Sequence, residues 1–251
     1  VKQYRDPIVS ADRYWHEAIR RNPGHVNSLC ALAQFYLSAC DFEKAKRYSA
    51  EAEKALTKYN KHPESGKLYY IIGKIYLAEN KTDKAYDYFY KSSWNMDTYS
   101  AAMTQIAAID GQRGNYEEML FHSENALSHN INNGIAACYR IIALHRLGND
   151  CTAEINKLLK CDRLNHFARY LSNDENFYDN LSSNMSQTCL DIAFDLTACG
   201  EYELAKKLLE NLPEKEPMVY YFLNRFEEAE SIALKGSFPF RCEEYKLLKK
   251  I

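Results

Sequence analysis

Glycine and proline are scarce in this chain, which has nine and six of them among 251 residues. Sandwiches and barrels of β-strands need many tight turns, where glycine and proline are favoured, so their scarcity argues against those folds. No run of about 18 consecutive apolar residues occurs, and no membrane-spanning helix is therefore expected. The formal net charge is only −2, so no overall positive field draws the protein to nucleic acid or to an anionic membrane.

The motifs of common catalytic and metal sites are also missing. The sequence has no glycine-rich phosphate loop, no G-x-S-x-G nucleophile motif and no H-E-x-x-H zinc motif. Its eight cysteines form no C-x-x-C pair and lie near no histidine at zinc-ligand spacing; they are at positions 30, 40, 138, 151, 161, 189, 199 and 242. We expect no enzyme activity, no cofactor and no metal. Unpatterned thiols favour a reducing compartment, and thus a cytoplasmic location.

What the chain does contain is a phrase that recurs along its length. Residues 199–212 read CGEYELAKKLLENL, a turn followed by a helical pattern of apolar residues. Related phrases begin at residues 39, 79, 113 and 147. One fixed place in each phrase holds a small or medium side chain: Ala45, Ala85, Met119, Ala153 and Ala205. The spacings between these residues are 40, 34, 34 and 52, which predicts an array of repeated helix pairs.

The clearest copy of the repeat covers residues 69–89, YYIIGKIYLAENKTDKAYDYF. It resembles the tetratricopeptide repeat, W-x-x-L-G-x-x-Y…A-x-x-x-F, at Tyr69, Ile72, Gly73, Tyr76, Ala85 and Phe89, with Tyr in place of Trp and Ile in place of Leu. The resemblance implies an all-α fold: a superhelix of about six helix pairs, closed by a C-terminal capping helix. Gly73 and Ala85 are expected where two antiparallel helices approach most closely.

The repeats predict one domain over residues 1–251 with an interruption near its middle. Residues 1–23 form a truncated first pair, 24–160 four repeats, 161–186 an inserted helix and loop, and 187–251 further repeats and the cap. The polar part of the insertion, residues 172–186, is rich in Asn, Ser and Asp. It is predicted to be a solvated connector, and the alternative is a loop that carries function.

Two short segments suggest that the chain is part of a longer protein. LNHFARY, residues 164–170, and FPFRCEEYKLL, residues 238–248, resemble the end region of long bacterial proteins with a tetratricopeptide-like C-terminal half. The N-terminal half of those proteins is a domain of unknown function with a suspected link to carbohydrate processing. The resemblance implies that any catalytic residues lie outside this chain, which begins with Val1 rather than Met.

Two functions from different classes follow from these patterns. The first is a non-catalytic interaction module that binds a peptide, a partner protein or its own missing N-terminal domain. The second is a helical accessory domain of a larger carbohydrate-processing enzyme. A third, a helical enzyme in its own right, lacks any acid–base or nucleophile constellation in the sequence.

Partners of tetratricopeptide arrays usually bind the first helix of each pair, because these helices line the concave surface. With the register set by Gly73, the candidate binding residues are Asn27, Gln34, Lys67, Tyr70, Lys74, Gln105, Gln112, Tyr139, His145 and Phe194. Such a mixed surface suits an extended peptide or a partner helix. Tyr70 is the preferred anchor, since aromatic residues dominate interface energetics. The Lys/Asn clamp that some family members use for a C-terminal carboxylate has no counterpart here.

Overall fold

The computed structural model describes residues 2–58, 65–179, 181, 184–213 and 215–225, with side chains from residue 12 onward. These residues form thirteen α-helices and no β-strand, so the prediction of an all-helical chain is confirmed for them. The helices are α1 Lys2–Arg21, α2 Val26–Ser38, α3 Phe42–Leu56, α4 Lys67–Ala78, α5 Thr82–Ser92, α6 Tyr99–Gln112, α7 Tyr116–His129, α8 Gly134–Arg146, α9 Thr152–Cys161, α10 His166–Leu171, α11 Met185–Ala198, α12 Tyr202–Glu210 and α13 Pro217–Phe222. None of these helices is both long and apolar enough to cross a membrane.

The chain divides into two compact units, Val1–Tyr99 and Ser100–Ile251. The core of the first is built mainly from α2, α3 and α4, and the core of the second from α6 to α13. The predicted capping helix and the segment 238–248 fall within residues 226–251, outside the described residues.

Five helix pairs share one turn between their two helices. The pairs are α2/α3, α4/α5, α6/α7, α8/α9 and α11/α12, and the turn residues with positive φ are Cys40, Asn80, Gly114, Gly148 and Gly200. In each turn the next backbone N–H donates to a carbonyl five residues back, as from Asp41 to Tyr36 at 2.9 Å. This Schellman geometry satisfies the carbonyls that the end of a helix leaves unpaired. The turn residues are spaced by 40, 34, 34 and 52, the same intervals as the repeated phrase.

The α4/α5 pair shows why the motif needs small residues. A Cβ atom placed on Gly73 would lie 2.7 Å from the Phe89 ring, so only glycine fits at this contact. Ala85 and Phe89 have no exposed surface. The expected close approach of the two helices at Gly73 and Ala85 is therefore present. Large residues beside small ones let the two helices interlock at close-packed density.

In each of the first three helix pairs, one side chain of the first helix contacts a side chain of the second helix that lies twelve residues later in the sequence. Tyr36 stacks on Tyr48 with ring centroids 5.4 Å apart, and Tyr76 lies 5.4 Å from Tyr88 in the next pair. In α6/α7 the same positions hold Asp110 and His122. These two side chains are nearly fully buried, and His122 Nδ1 lies 2.7 Å from Asp110 Oδ2.

The fourth pair departs from the common register. Helix α9 begins four residues after the turn residue Gly148, whereas the second helix of every other pair begins two residues after its turn residue. The repeated phrase predicted that Ala153 would be the small residue at the helix contact, and this is wrong. Ala153 is exposed because the longer turn shifts the helix, and half-buried Ile155 takes the third position after the helix start.

Candidate functional site

The first helices of the first unit, α2 and α4, carry five of the ten predicted binding residues. Lys67, Lys74 and Asn27 are exposed, whereas Gln34 and Tyr70 are half-buried. Gln34 Nε2 donates to Ser38 Oγ at 3.3 Å, one turn further along the helix. These residues therefore form a surface with amide, ammonium and phenol groups.

Tyr70 lies between the two lysines on α4 and is held by the core beneath it. Its ring centroid is 5.5 Å from that of Phe89, with the ring planes inclined by 55°. Burial raises the pKa of the Tyr70 phenol, so the side chain stays neutral at physiological pH. Lys67 and Lys74 lie three residues before it and four after it, which places all three on one helix face.

The charge on this pair of helices has one sign. Helix α2, VNSLCALAQFYLS, contains no Asp, Glu, Lys or Arg, and α4, KLYYIIGKIYLA, contains only Lys67 and Lys74. Acidic residues of the first unit lie on α1, on the second helices and in the turns, for example Asp41 and Glu43 at the start of α3. The surface of α2 and α4, which we call the cationic face, therefore carries positive charge without a compensating carboxylate of its own.

The second unit places its five predicted residues in different environments. Gln112 and His145 are exposed and Gln105 is half-buried. The prediction that Tyr139 and Phe194 lie on an open binding surface is wrong, because only 3% and 5% of their surface is exposed. Tyr139 donates from its hydroxyl to the Asp195 carbonyl at 3.1 Å, and Phe194 packs edge-on against Phe222 at 5.3 Å.

The burial of these residues follows from contacts between pairs that are not neighbours in sequence. A Cβ atom on Gly111, near the end of α6, would lie 2.6 Å from the carbonyl oxygen of Cys199, just after α11. A Cβ atom on Gly200, in the turn after α11, would lie 3.0 Å from the Gly111 carbonyl oxygen and 3.1 Å from the Cα of Gln112. The C-terminal ends of α6 and α11 thus approach closely, and Tyr139 and Phe194 are core residues of this unit.

The second unit has a cavity of about 730 Å³ that the sequence did not predict. It lies among the end of α8, the start of α9, the segment 170–178 and helix α12. Ile141, Ile142 and Phe177 form a buried apolar part of its wall, together with the carboxylate of Glu201. Cavities of several hundred Å³ are the usual size for small-molecule sites.

Most charged groups in the cavity wall are already paired. Arg146 donates to the buried Glu201 carboxylate through two nitrogens, with Nε to Oε1 at 2.6 Å, and this pairing raises the pKa of Arg146. Asp174 accepts from Arg169 Nε at 3.1 Å, and that hydrogen bond lowers the Asp174 pKa. Two-point pairing of this kind fixes the geometry of the guanidinium and carboxylate groups.

The inserted segment that forms one side of the cavity is anchored by its aromatic residues, although Ser172, Asn173, Glu175, Asn176 and Asp179 are exposed as a solvated connector would be. Tyr170 and Tyr178 donate from their hydroxyls to the carbonyls of Leu204 and Leu208, each at 2.9 Å. Phe177 is 3% exposed. Burial raises the pKa of Tyr170 to about 12 and also raises that of Tyr178. Two tyrosines therefore attach the insertion to successive turns of α12.

The described residues include no group of three or more His, Cys, Asp or Glu side chains placed to hold a metal ion. Seven of the eight cysteines are described, and each is a free thiol. Burial raises the pKa of Cys189 and Cys199 to about 12, which disfavours the reactive thiolate.

Neither a scan of protein-family models nor a search of curated proteins finds a match to this chain. The repeats, the cationic face and the cavity are the features of the chain that bear on its function. The sequence contained one signal for the cavity, since the 52-residue interval showed where the array is interrupted. Arg146, Glu201 and the aromatic residues of the insertion carried no pattern that would have selected them.

Proposed function

We propose that the protein is a non-catalytic interaction module built as a tetratricopeptide-like superhelix. The observation that carries this proposal is the identical turn in five successive helix pairs, at intervals that match the repeated phrase. The Gly73–Phe89 contact supports the same interpretation, because it reproduces the small-residue requirement of the motif. Stacked helix pairs present extended surfaces and commonly serve binding.

The cationic face of α2 and α4 is the surface that we assign to the partner. Tyr70 offers a large, rigid contact area at low entropic cost, since its ring is already fixed against Phe89. Lys67 and Lys74 favour an acidic partner and contribute mainly to encounter rate and salt dependence. The proposed partner is therefore an acidic peptide segment with apolar side chains that contact Tyr70.

A fluorescein-labelled (Glu-Leu)5 peptide tests this proposal, with (Lys-Leu)5 as the charge-reversed control. We expect saturable binding of the acidic peptide, measured by anisotropy, that weakens as salt rises. Tyr70→Ala is expected to weaken binding about 30-fold, the equivalent of about 2 kcal/mol. Lys67→Glu/Lys74→Glu is expected to weaken it about tenfold at low salt.

The matched control is Lys54→Glu/Lys84→Glu, which makes the same charge change on the second helices α3 and α5. Both control lysines are exposed. If the control weakens binding as much as Lys67→Glu/Lys74→Glu, only the net charge matters and the assignment of the cationic face is wrong. Unchanged affinity in Tyr70→Ala, with an unchanged circular dichroism spectrum, would also contradict it.

A further inference from the structure

The cavity of the second unit exists because the insertion separates two helix pairs. In a regular array, the second helix of one pair is covered by the next pair. Here residues 162–184 intervene between α9 and α11: helix α10 contacts α9, and Tyr170 and Tyr178 attach the segment 170–178 to α12. The volume of about 730 Å³ lies in the resulting space.

Helix α9 shows the consequence in its burial. It carries Ile155, Leu158 and Leu159, yet none of its residues is fully buried. The equivalent helix α12 buries Ala205, Leu208 and Leu209. Ile155 lines the cavity directly, opposite Leu204 of α12. The cavity thus contains apolar side chains that the fold leaves partly uncovered, and an apolar ligand would bury them.

One cation in the wall has no carboxylate partner among the described residues. Glu201, Asp174 and Arg146 have the ionic partners described above, and Asp150 accepts from the Thr152 hydroxyl at 2.6 Å. Lys207 also lines the cavity, on α12, and its ammonium group has no hydrogen-bond or ion-pair partner among the described residues. Its neighbour Lys206 does have one, Glu210 at 3.9 Å, and does not line the cavity.

We propose that this cavity binds an amphipathic carboxylate, with its apolar body against Ile155 and Leu204 and its carboxylate at Lys207. A carboxylate on the ligand would give Lys207 the ionic partner that it lacks among the described residues. The site is separate from the cationic face and does not depend on the partner proposed for it.

Ligand-observed NMR titrations with octanoate and octan-1-ol test this site. Wild-type protein is expected to bind octanoate saturably and more tightly than the alcohol. Lys207→Gln is expected to weaken octanoate binding about fivefold, the size of one exposed ion pair, and to leave the alcohol unaffected. Ile155→Trp, which places a bulky ring at the apolar part of the cavity, is expected to abolish binding of both compounds.

Lys206→Gln is the matched control, since it removes the same charge one residue away outside the cavity. Equal losses in the two lysine variants, equal affinities for octanoate and the alcohol, or binding that survives in Ile155→Trp would each overturn the proposal. Acetyl-Leu-Leu, with a free carboxylate, and its amide identify the source of the carboxylate. If the peptide acid binds more tightly than octanoate, and Lys207→Gln weakens its binding, the ligand is the carboxyl end of a polypeptide chain. If octanoate binds more tightly than the peptide acid, the ligand is a free amphiphile.

Discussion

Replacing Gly73 with alanine tests the helix-pair geometry on which the repeat assignment depends. The added methyl carbon would lie 2.7–2.8 Å from two atoms of the Phe89 ring, closer than carbon atoms can approach. The ring cannot move aside, because Phe89 has no exposed surface and contacts Tyr70 on its other flank. Gly73→Ala must therefore spread the two helices or force the ring out of its preferred rotamer.

The magnitude follows from two opposing effects. Overpacking a close-packed core by one methyl group costs about 1–3 kcal/mol. Alanine favours the helix over glycine by about 1 kcal/mol, which offsets part of that cost. The expected net loss of unfolding free energy is therefore about 0–2 kcal/mol. In a Phe89→Leu background the clash is gone, and Gly73→Ala is expected to stabilise by up to about 1 kcal/mol.

Tryptophan fluorescence during urea unfolding measures this effect in the first unit, because both tryptophans, Trp15 and Trp94, belong to it. The four proteins of the double-mutant cycle give the coupling energy between Gly73 and Phe89 directly. We expect a coupling of about 2 kcal/mol. An equal effect of Gly73→Ala in both backgrounds would show that the two residues do not touch, and the register of the pair would be wrong.

Three further predictions concern the second unit. Tyr170 has a pKa of about 12 in the folded protein, above its unfolded value of about 10. Its contribution to stability is therefore complete below pH 10 and is lost as the pH rises towards 12. Absorbance at 295 nm should show Tyr170 ionising late in the folded protein, and earlier once the unit is unfolded in urea. Ellman's reagent should modify exposed Cys161 within the mixing time of a native sample, while buried Cys199 should react only on unfolding. Asp110→Ala should lower the unfolding free energy by about 3 kcal/mol, because it removes the carboxylate beside the buried His122 and leaves a void there. Urea unfolding followed by circular dichroism measures this loss, and a loss below about 1 kcal/mol would contradict a structural role for the pair.

Local pattern was sufficient to predict the helices and the contacts within one pair. The turn residues Cys40, Asn80 and Gly114 stand at fixed offsets from the repeated phrase, and a turn is determined by residues adjacent in sequence. The Gly73–Phe89 contact follows in the same way from sixteen residues of separation in one motif. The all-helical prediction therefore depended on interactions between residues that are close in sequence.

Contacts between distant pairs could not be predicted in this way. Nothing in the spacing around Tyr139 distinguishes a residue on an open surface from one covered by α11, 56 residues later. The approach of α6 to α11 at Gly111 likewise depends on how sharply the array turns. The same applies to Tyr170 and Tyr178, since a polar segment with two tyrosines is compatible with both a solvated loop and a docked one.

Asp110 and His122 match the two preceding repeats in their separation along the sequence but not in their residue types. Tyrosine pairs at the same twelve-residue separation occupy the two preceding repeats, so the position is one of side-chain pairing between helices. A comparison of the repeats that considers only apolar or aromatic residues does not detect the third pair, Asp110 and His122. A search for complementary partners at that separation finds it, because a carboxylate and an imidazole can be buried together when each satisfies the other.

The two units differ at their first helices. In the first unit, Lys67 and Lys74 are exposed on α4, and Tyr70 between them is half-buried. In the second unit, Tyr139 and Phe194 are buried and belong to the core. The cavity lies at the start of α9, where Ile155 is half-buried. The insertion attaches to α12 through two hydroxyls and leaves Ile155 of α9 half-buried at the cavity, and this is the apolar surface that the proposed ligand would cover.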